Sequence, residues 1–474
     1  MIKGAIIYLD SKPALRWQQK RVRIAVMSYR NCLKALTLIL LVNVTSLPAC
    51  TRAEFATDDA AAGGSDTGAG GDAGSPGDGG QGGAGDGTGG ATDDGGQDSG
   101  GSATDGAAVD ASVEASDAQQ SIDAQFVPPC PVDASTVSDG NGSCAPTFRV
   151  LRVGDGTVAL SSAATPVFVD ERMVDGTLVS TIALPTAAAG TNHPLTISGA
   201  STSEGALSLS ANGKFLTLAG YAAPPGTPMI SSSMSASAPR VVGRIDASGV
   251  VDTSTVVLGA FDGNNVRSAV STDGMGFWVA GSGGSTGGVW FVAFGTVGGI
   301  RVLANPPTVR VVDLFAGQLY ASSNSGANAD VFLVGNGMPA VAGQVATTLP
   351  GMPASGIPSP FAFAFFDQSA AVPGIDTLYV ADDRAPPIGG VQKWVFDGTI
   401  WKLIATFSVL QNPVGFRGLT GFASQVGVTL IASTAETFAN RVVVFLDDGV
   451  TTPNSTVIAT AVPNTIVRGV ALSP

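Results

Sequence analysis

Six short stretches of this chain open on a residue that could do chemistry. SEGALSLS (203–210), VRSAVSTD (266–273), VRVVDLF (309–315), PFAFAFFD (360–367), FRGLTGF (416–422) and VRGVALS (467–473) put Glu204, Arg267, Arg310, Phe361, Arg417 and Arg468 at equivalent positions. Only 13% of the residues are charged, so four arginines and a glutamate at one repeat position exceed what scatter delivers. Guanidinium groups brought together need counter-charges, because a buried unpaired charge is costly. Glu204, Asp262, Asp382, Asp383 and Glu436 are the candidates, and the last three fall at nearly equivalent places in LYVADDR and IASTAET. Two readings follow. Either an arginine–carboxylate network locks the repeats together, or the ring lines a pocket for an anionic or polyhydroxylated ligand, such as a peptide carboxylate or a sugar.

Signals for catalysis are thin. The one histidine, His193, lies in a loop-like GTNHPL, which excludes a multi-histidine metal site. Asp382, Asp383 and Glu436 could pair for glycoside hydrolysis, but spacing in sequence says nothing about the separation that chemistry needs. Asp273-Gly274 and Asp397-Gly398 read as turns between strands. No catalytic residue, metal or cofactor is expected. The formal net charge of −13 argues against a nucleic-acid partner.

The elements that must position these residues are strands. Short apolar runs between Gly, Asp, Asn and Pro recur from Phe148 onward. Five units of four strands can be placed, each starting with one of the first five stretches. The sixth stretch, IVRGVALSP, has no outer strands of its own. FRVLRVG, PVFVDERM and LVSTIAL, which precede the first unit, lack an inner strand. Joined, the two ends make a further sheet. The expectation is an all-β β-propeller of six four-stranded blades over 147–474, closed by the C-terminal strand joining the N-terminal blade. Closure removes the edges that an open array would expose. A seventh blade fits if 184–203 or 257–265 hides strands, and a two-sheet sandwich is disfavoured by the strand count. Small inner-strand residues suit an axial channel. Phe365, Phe366, Trp278, Trp290, Trp394 and Trp401 suit packing between blades.

The N-terminal part reads as export, anchor and tether. Arg30 precedes, and Lys34 stands at the head of, the apolar run LKALTLILLVNV, which is followed shortly by LPAC. Residues 1–50 are therefore read as a leader whose lipoprotein signal peptide starts at Met27, and LPAC resembles a bacterial lipobox with Cys50 as the lipidated residue. Thr51 after the cysteine resembles sorting to the outer membrane, with plain secretion or a periplasmic location as the alternative. Residues 51–124, rich in Gly, Asp and Ser, cannot bury enough surface to offset ordering and read as a flexible acidic linker. Cys130 and Cys144, within a cap at 125–146, are expected to form a disulfide in an exported chain.

SEGALSLSANGKFLTLAGY, NNVRSAVSTDGMGFWVAG, DTLYVADDRAPPIGGVQKWVFDG, FRGLTG, STAETFANR and VRGVALSP together resemble a family of exported bacterial β-propeller proteins without an established activity. The acidic tether behind a lipobox resembles lipoproteins of myxobacteria. The resemblance implies a fold and no ligand. The functional expectation is a monomeric, surface-tethered binding module, held at the membrane by its lipid and taking a glycan, peptide or protein. The alternative is a hydrolase or lyase acting on polysaccharide or peptide at the channel mouth.

Overall fold

The computed structural model describes the strands at 2–7 and 24–29 and residues 146–353, 358–450 and 452–474. The chain divides into two units, Met1–Asp110 and Ala111–Pro474. In the first, Ile2–Ile7 pairs antiparallel with Ile24–Tyr29. Cys50, Cys130 and Cys144 lie outside the described residues, as do the linker and the cleavage region. No helix among the described residues is long and apolar enough to cross a membrane.

The second unit is all-β and propeller-like. Four separate four-stranded antiparallel sheets follow one another at 266–303, 312–348, 360–407 and 416–460. In each, the strands lie in chain order from an inner to an outer edge, because tight turns join neighbours. At the Asp397-Gly398 turn, Asp397 Oδ1 accepts from the Thr399 and Ile400 amides while Gly398 takes φ of 92°. At Asp273-Gly274 the Asp273 carboxylate accepts from Met275 N, with φ of 83° at the glycine. The second strands, such as Thr377–Asp382, are buried throughout, whereas outer strands such as Leu178–Ala183 are largely exposed. The sheets therefore pack face to face near the axis and splay outward.

The C-terminal strand Ile466–Leu472 pairs antiparallel with Phe148–Val153, closing the ring as the unmatched ends require. The expected set of six separate sheets is not what the structure contains. The strands assigned to the remaining two blades belong to one ten-stranded sheet. The reason is the nine-residue strand Ala164–Arg172. Its later residues pair with Phe148–Val153 and with Leu178–Ala183, while Ala164, Thr165 and Pro166 pair with Thr196–Ser198. That short strand, within the stretch suspected of hiding strands, bridges to Tyr221 in Phe215–Tyr221, which carries Arg240–Asp246 and Val251–Val257 beyond it. The inner strand of this half shrinks to Ser208–Leu209.

Buried apolar clusters join successive sheets. Tyr221, Val242, Phe277 and Val279 pack the ten-stranded sheet on the 266–303 sheet, and Val270, Trp278, Val312 and Phe332 continue to the next. Tyr320, Phe365, Trp394 and Trp401 fill the following gap, with Tyr320 and Phe365 ring centres 4.6 Å apart. Phe366, Tyr379, Phe416 and Phe445 fill the one after it, and Phe148, Val150, Ile431 and Val442 pack the closing strands. The aromatic residues singled out in the sequence thus sit between sheets, with Trp290 against the first of these clusters.

Candidate functional site

The inner strands are stitched to their neighbours by hydroxyl groups. Thr217 Oγ1 donates to Ala269 O at 2.8 Å and Ser322 Oγ to Phe361 O at 2.7 Å. Ser433 Oγ donates to Arg468 O and accepts from Gly418 N at 2.9 Å. In each case a second-strand hydroxyl reaches the inner strand of the next sheet in chain order. Small side chains let this happen: the Gly469 amide donates to Gly205 O at 2.9 Å, and a Cβ on Gly469 would lie 2.3 Å from Leu207 N.

These strands surround an axial cavity of ≈ 40 Å³. That is room for a few waters or one small polar group, not for a buried sugar ring. Glu204, Asp313, Arg417, Glu436, Asn440 and Arg468 are among its lining residues. Arg267 and Arg310 are buried in the surrounding wall, 2% and 4% exposed.

The equivalent positions do different jobs. Arg417 donates from Nε and Nη2 to Asp383 Oδ2 at 3.1 and 3.0 Å and from Nη1 to Ala435 O at 3.0 Å. Arg310 reaches the other Asp383 oxygen at 3.9 Å and binds Ser359 Oγ at 2.8 Å. The two guanidinium groups share the Phe361 ring, 4.1 and 5.5 Å from its centre. Phe361 therefore occupies its ring position as a cation–π platform between arginines.

Arg468 is spent on backbone carbonyls of Glu204, Ser198 and Gly199 at 3.0–3.2 Å. Burial pulls it down to about 10, against the opposing pull of Glu204. The Glu204 carboxylate accepts from Ser198 N at 2.8 Å, Tyr221 Oη at 2.8 Å and Asn265 Nδ2 at 2.7 Å. Burial raises its pKa, and Arg468 opposes that rise. Asp382 holds Arg384 at 2.7 Å and the Ser359 amide at 3.0 Å. Glu436 holds Arg441 at 2.8 Å through Oε1.

Asp382, Asp383 and Glu436 are thus each committed to a different arginine. Asp262 accepts from Ser235 N and takes no part in the axial wall. His193 is tied through its backbone carbonyl to Thr253 and does not line the cavity. Among the described residues no group of three or more metal-ligating side chains converges.

Two features escaped the sequence reading. Asp313 sits in the inner strand Val312–Phe315, lines the cavity, and is pushed up to about 7 by burial. A lone carboxylate in VRVVDLF was the available signal. Two polar atoms on the cavity-lining residues are also buried without a partner among the described residues, Arg468 Nε and Glu436 Oε2. Both atoms are closed to water-sized contacts, so they lie inside the wall and not on the open surface of the cavity.

Fold and site together define a propeller-like protein with a polar axial cavity. The chain matches no protein-family model and no curated protein. It is similar to the crystal structure of a putative 6-phosphogluconolactonase from Bacteroides fragilis, at 14% identity and a TM-score of 0.39, over 68% of this chain and 83% of that one. A putative 6-phosphogluconolactonase from Bacteroides uniformis matches at 14% identity and 0.35, over 66% and 81%. A chain of the nidogen/laminin complex matches at 10% identity and 0.36, over 69% and 98%. Likenesses this distant carry no activity across.

Proposed function

We propose that this protein is a binding module that takes a small polar group of its ligand into the axial cavity. One observation carries the reading: Arg417 lines the cavity with its side chain 20% exposed, and only three of its five donors are spent. The ring around it is read as six-bladed, with the ten-stranded sheet counted as two blades joined by the 196–198 bridge. In support, Val169, Leu195, Leu216 and Leu218 form a separate apolar cluster between its two halves. A lipid on Cys50, the acidic linker and a Cys130–Cys144 disulfide would hold this module away from a membrane surface.

A hydrolase or lyase at the channel mouth is the second reading, and Asp313 favours it. A cavity-lining carboxyl pushed up to about 7 has the protonation a general acid needs near neutral pH.

A binding screen of the full chain against glycans and peptides, with an Arg417→Ala, Glu436→Gln variant beside it, tests the proposal. The variant is expected to weaken binding about tenfold or more, since hydrogen bonds to charged groups are lost. Unchanged affinity in the variant rejects the cavity as the site. Ligand turnover that is lost in Asp313→Asn would instead support the enzymatic reading.

A further inference from the structure

The guest can be specified, on the footing that the axial cavity is the binding site. Most charged groups in its wall are already committed. Glu204 satisfies three donors, Arg468 is held by three carbonyls, and Glu436 holds Arg441. Arg417 keeps two of its five N–H donors. Asp313 is the other group with capacity to spare. Its Oδ1 accepts from Leu314 N at 2.8 Å. The residue stays partly exposed although protein encloses it, so its open side faces the cavity that it lines. Burial alone lifts its pKa, against that hydrogen bond, and no charged side chain of the described residues, Glu204, Arg417, Glu436 and Arg468 included, pulls on it. A cation brought to Asp313 therefore meets an unneutralised carboxyl and no competing guanidinium.

The two groups lie at different depths. Arg417 stands near the start of the inner strand Phe416–Ser424, at the position that Arg310 holds ahead of Val312–Phe315. Asp313 comes three residues after Arg310, which at about 3.3 Å per residue sets it about 10 Å further along its strand. A cavity of ≈ 40 Å³ reaching over that depth is a narrow bore. Ala206, Val311, Ala362, Leu419 and Val470 give its wall an apolar stretch. The complement is a thin apolar stem with a compact cation at its tip and a hydrogen-bond acceptor at its root. A lysine residue has that shape: an ammonium on a four-carbon stem, with the backbone carbonyl where the stem begins. The arginine guanidinium is a wide planar fork. An amino sugar carries its ammonium on a ring, for which the cavity has no room.

We propose that the axial cavity takes the side chain of a lysine from a peptide or protein. The ammonium pairs with the Asp313 carboxylate, the methylenes run along the apolar wall, and a backbone carbonyl at the mouth accepts from Arg417. A polyamine would satisfy Asp313 but offers Arg417 no acceptor. The pairing ties binding to pH. Asp313 is pushed up to about 7, so its carboxylate form predominates only above that value, whereas lysine keeps its proton well beyond it. Affinity should therefore rise about tenfold between pH 6 and pH 8.

Fluorescence anisotropy with the full chain tests this. The probes are fluorescein-labelled Gly/Ser peptides of one sequence with a single central lysine, Nε-acetyllysine, arginine or norleucine, with spermidine and a chitosan oligomer as competitors. The lysine peptide is expected to bind at pH 8, with the acetyllysine peptide at least about tenfold weaker because a charged hydrogen-bonding group is lost. Asp313→Asn, which keeps the shape of the protonated side chain, should cost the same factor, remove the pH dependence and leave circular dichroism unaltered. Equal binding of acetyllysine or norleucine, tighter binding of arginine, stronger competition by spermidine or chitosan than by unlabelled lysine peptide, or an affinity unmoved by Asp313→Asn overturns the inference. Arg417→Ala separates the two levels of the argument. Binding that shows no lysine preference but is lost in Arg417→Ala removes the lysine and leaves the cavity as a site. Binding that neither variant alters removes both, and no binding by any probe removes the lysine as well.

Discussion

Replacing Glu204 by alanine should bring the ring close to unfolding. The carboxylate is 2% exposed and satisfies three donors, Ser198 N, Tyr221 Oη and Asn265 Nδ2, at 2.7–2.8 Å. It is also the acidic neighbour of the buried Arg468. Each orphaned donor costs about 1 kcal/mol or more, and breaking a buried charge pair from one side costs about 3–5 kcal/mol. The terms overlap, because removing the carboxylate also removes its own desolvation cost. A net loss of about 4 kcal/mol is therefore expected, against a total stability on the order of 5–15 kcal/mol. Glu204→Gln keeps the shape and one acceptor oxygen but turns an NH2 toward the former partners, so about 2 kcal/mol is expected. Urea unfolding of the full chain, followed by tryptophan fluorescence and fitted with a common slope, measures both. An alanine variant within about 1 kcal/mol of the parent would refute the view that Glu204 is the satisfied hub of a buried network.

Gly469→Ala would press a methyl group against Leu207 N and Gly205 O of the adjoining inner strand, at 2.3 and 2.6 Å. Because those atoms are backbone, a loss of about 2 kcal/mol or more should appear in the same urea assay. Stability should also fall as pH rises from about 4 towards about 7. Burial lifts Asp313 and Asp330 from 3.8 to about 7, and Asp382 adds to the effect on Asp330. The folded chain therefore retains protons that the unfolded chain releases. Their contribution is complete below the unfolded value and gone above the folded one. Thermal melts at pH 5 and pH 8 should show the difference, and Asp330→Asn should reduce it. An undiminished slope in that variant would exclude Asp330 as a source.

Much of the architecture was legible because its causes are local. Alternating apolar residues, Asp-Gly turns and small inner-strand residues are written within ten residues of one another. The mismatch between an orphan inner strand at Val467–Ser473 and orphan outer strands after Phe148 by itself calls for closure, and Ile466–Leu472 pairs with Phe148–Val153 accordingly. The recurring arginine position was equally visible. What each arginine meets was not. Arg417 binds Asp383 from the preceding sheet and Arg468 binds carbonyls more than 260 positions away, and pairing across sheets depends on distances that the order of residues does not encode. The same holds for the ten-stranded sheet, where three residues at 196–198 find the edge of a neighbouring strand. Asp313, one apparently stray charge, became part of a cavity wall only when five inner strands converged on it. Sequence decided which segments are strands and where charge enters the inner edge. Tertiary packing alone decided which charges are neutralised and which are left to face the axis.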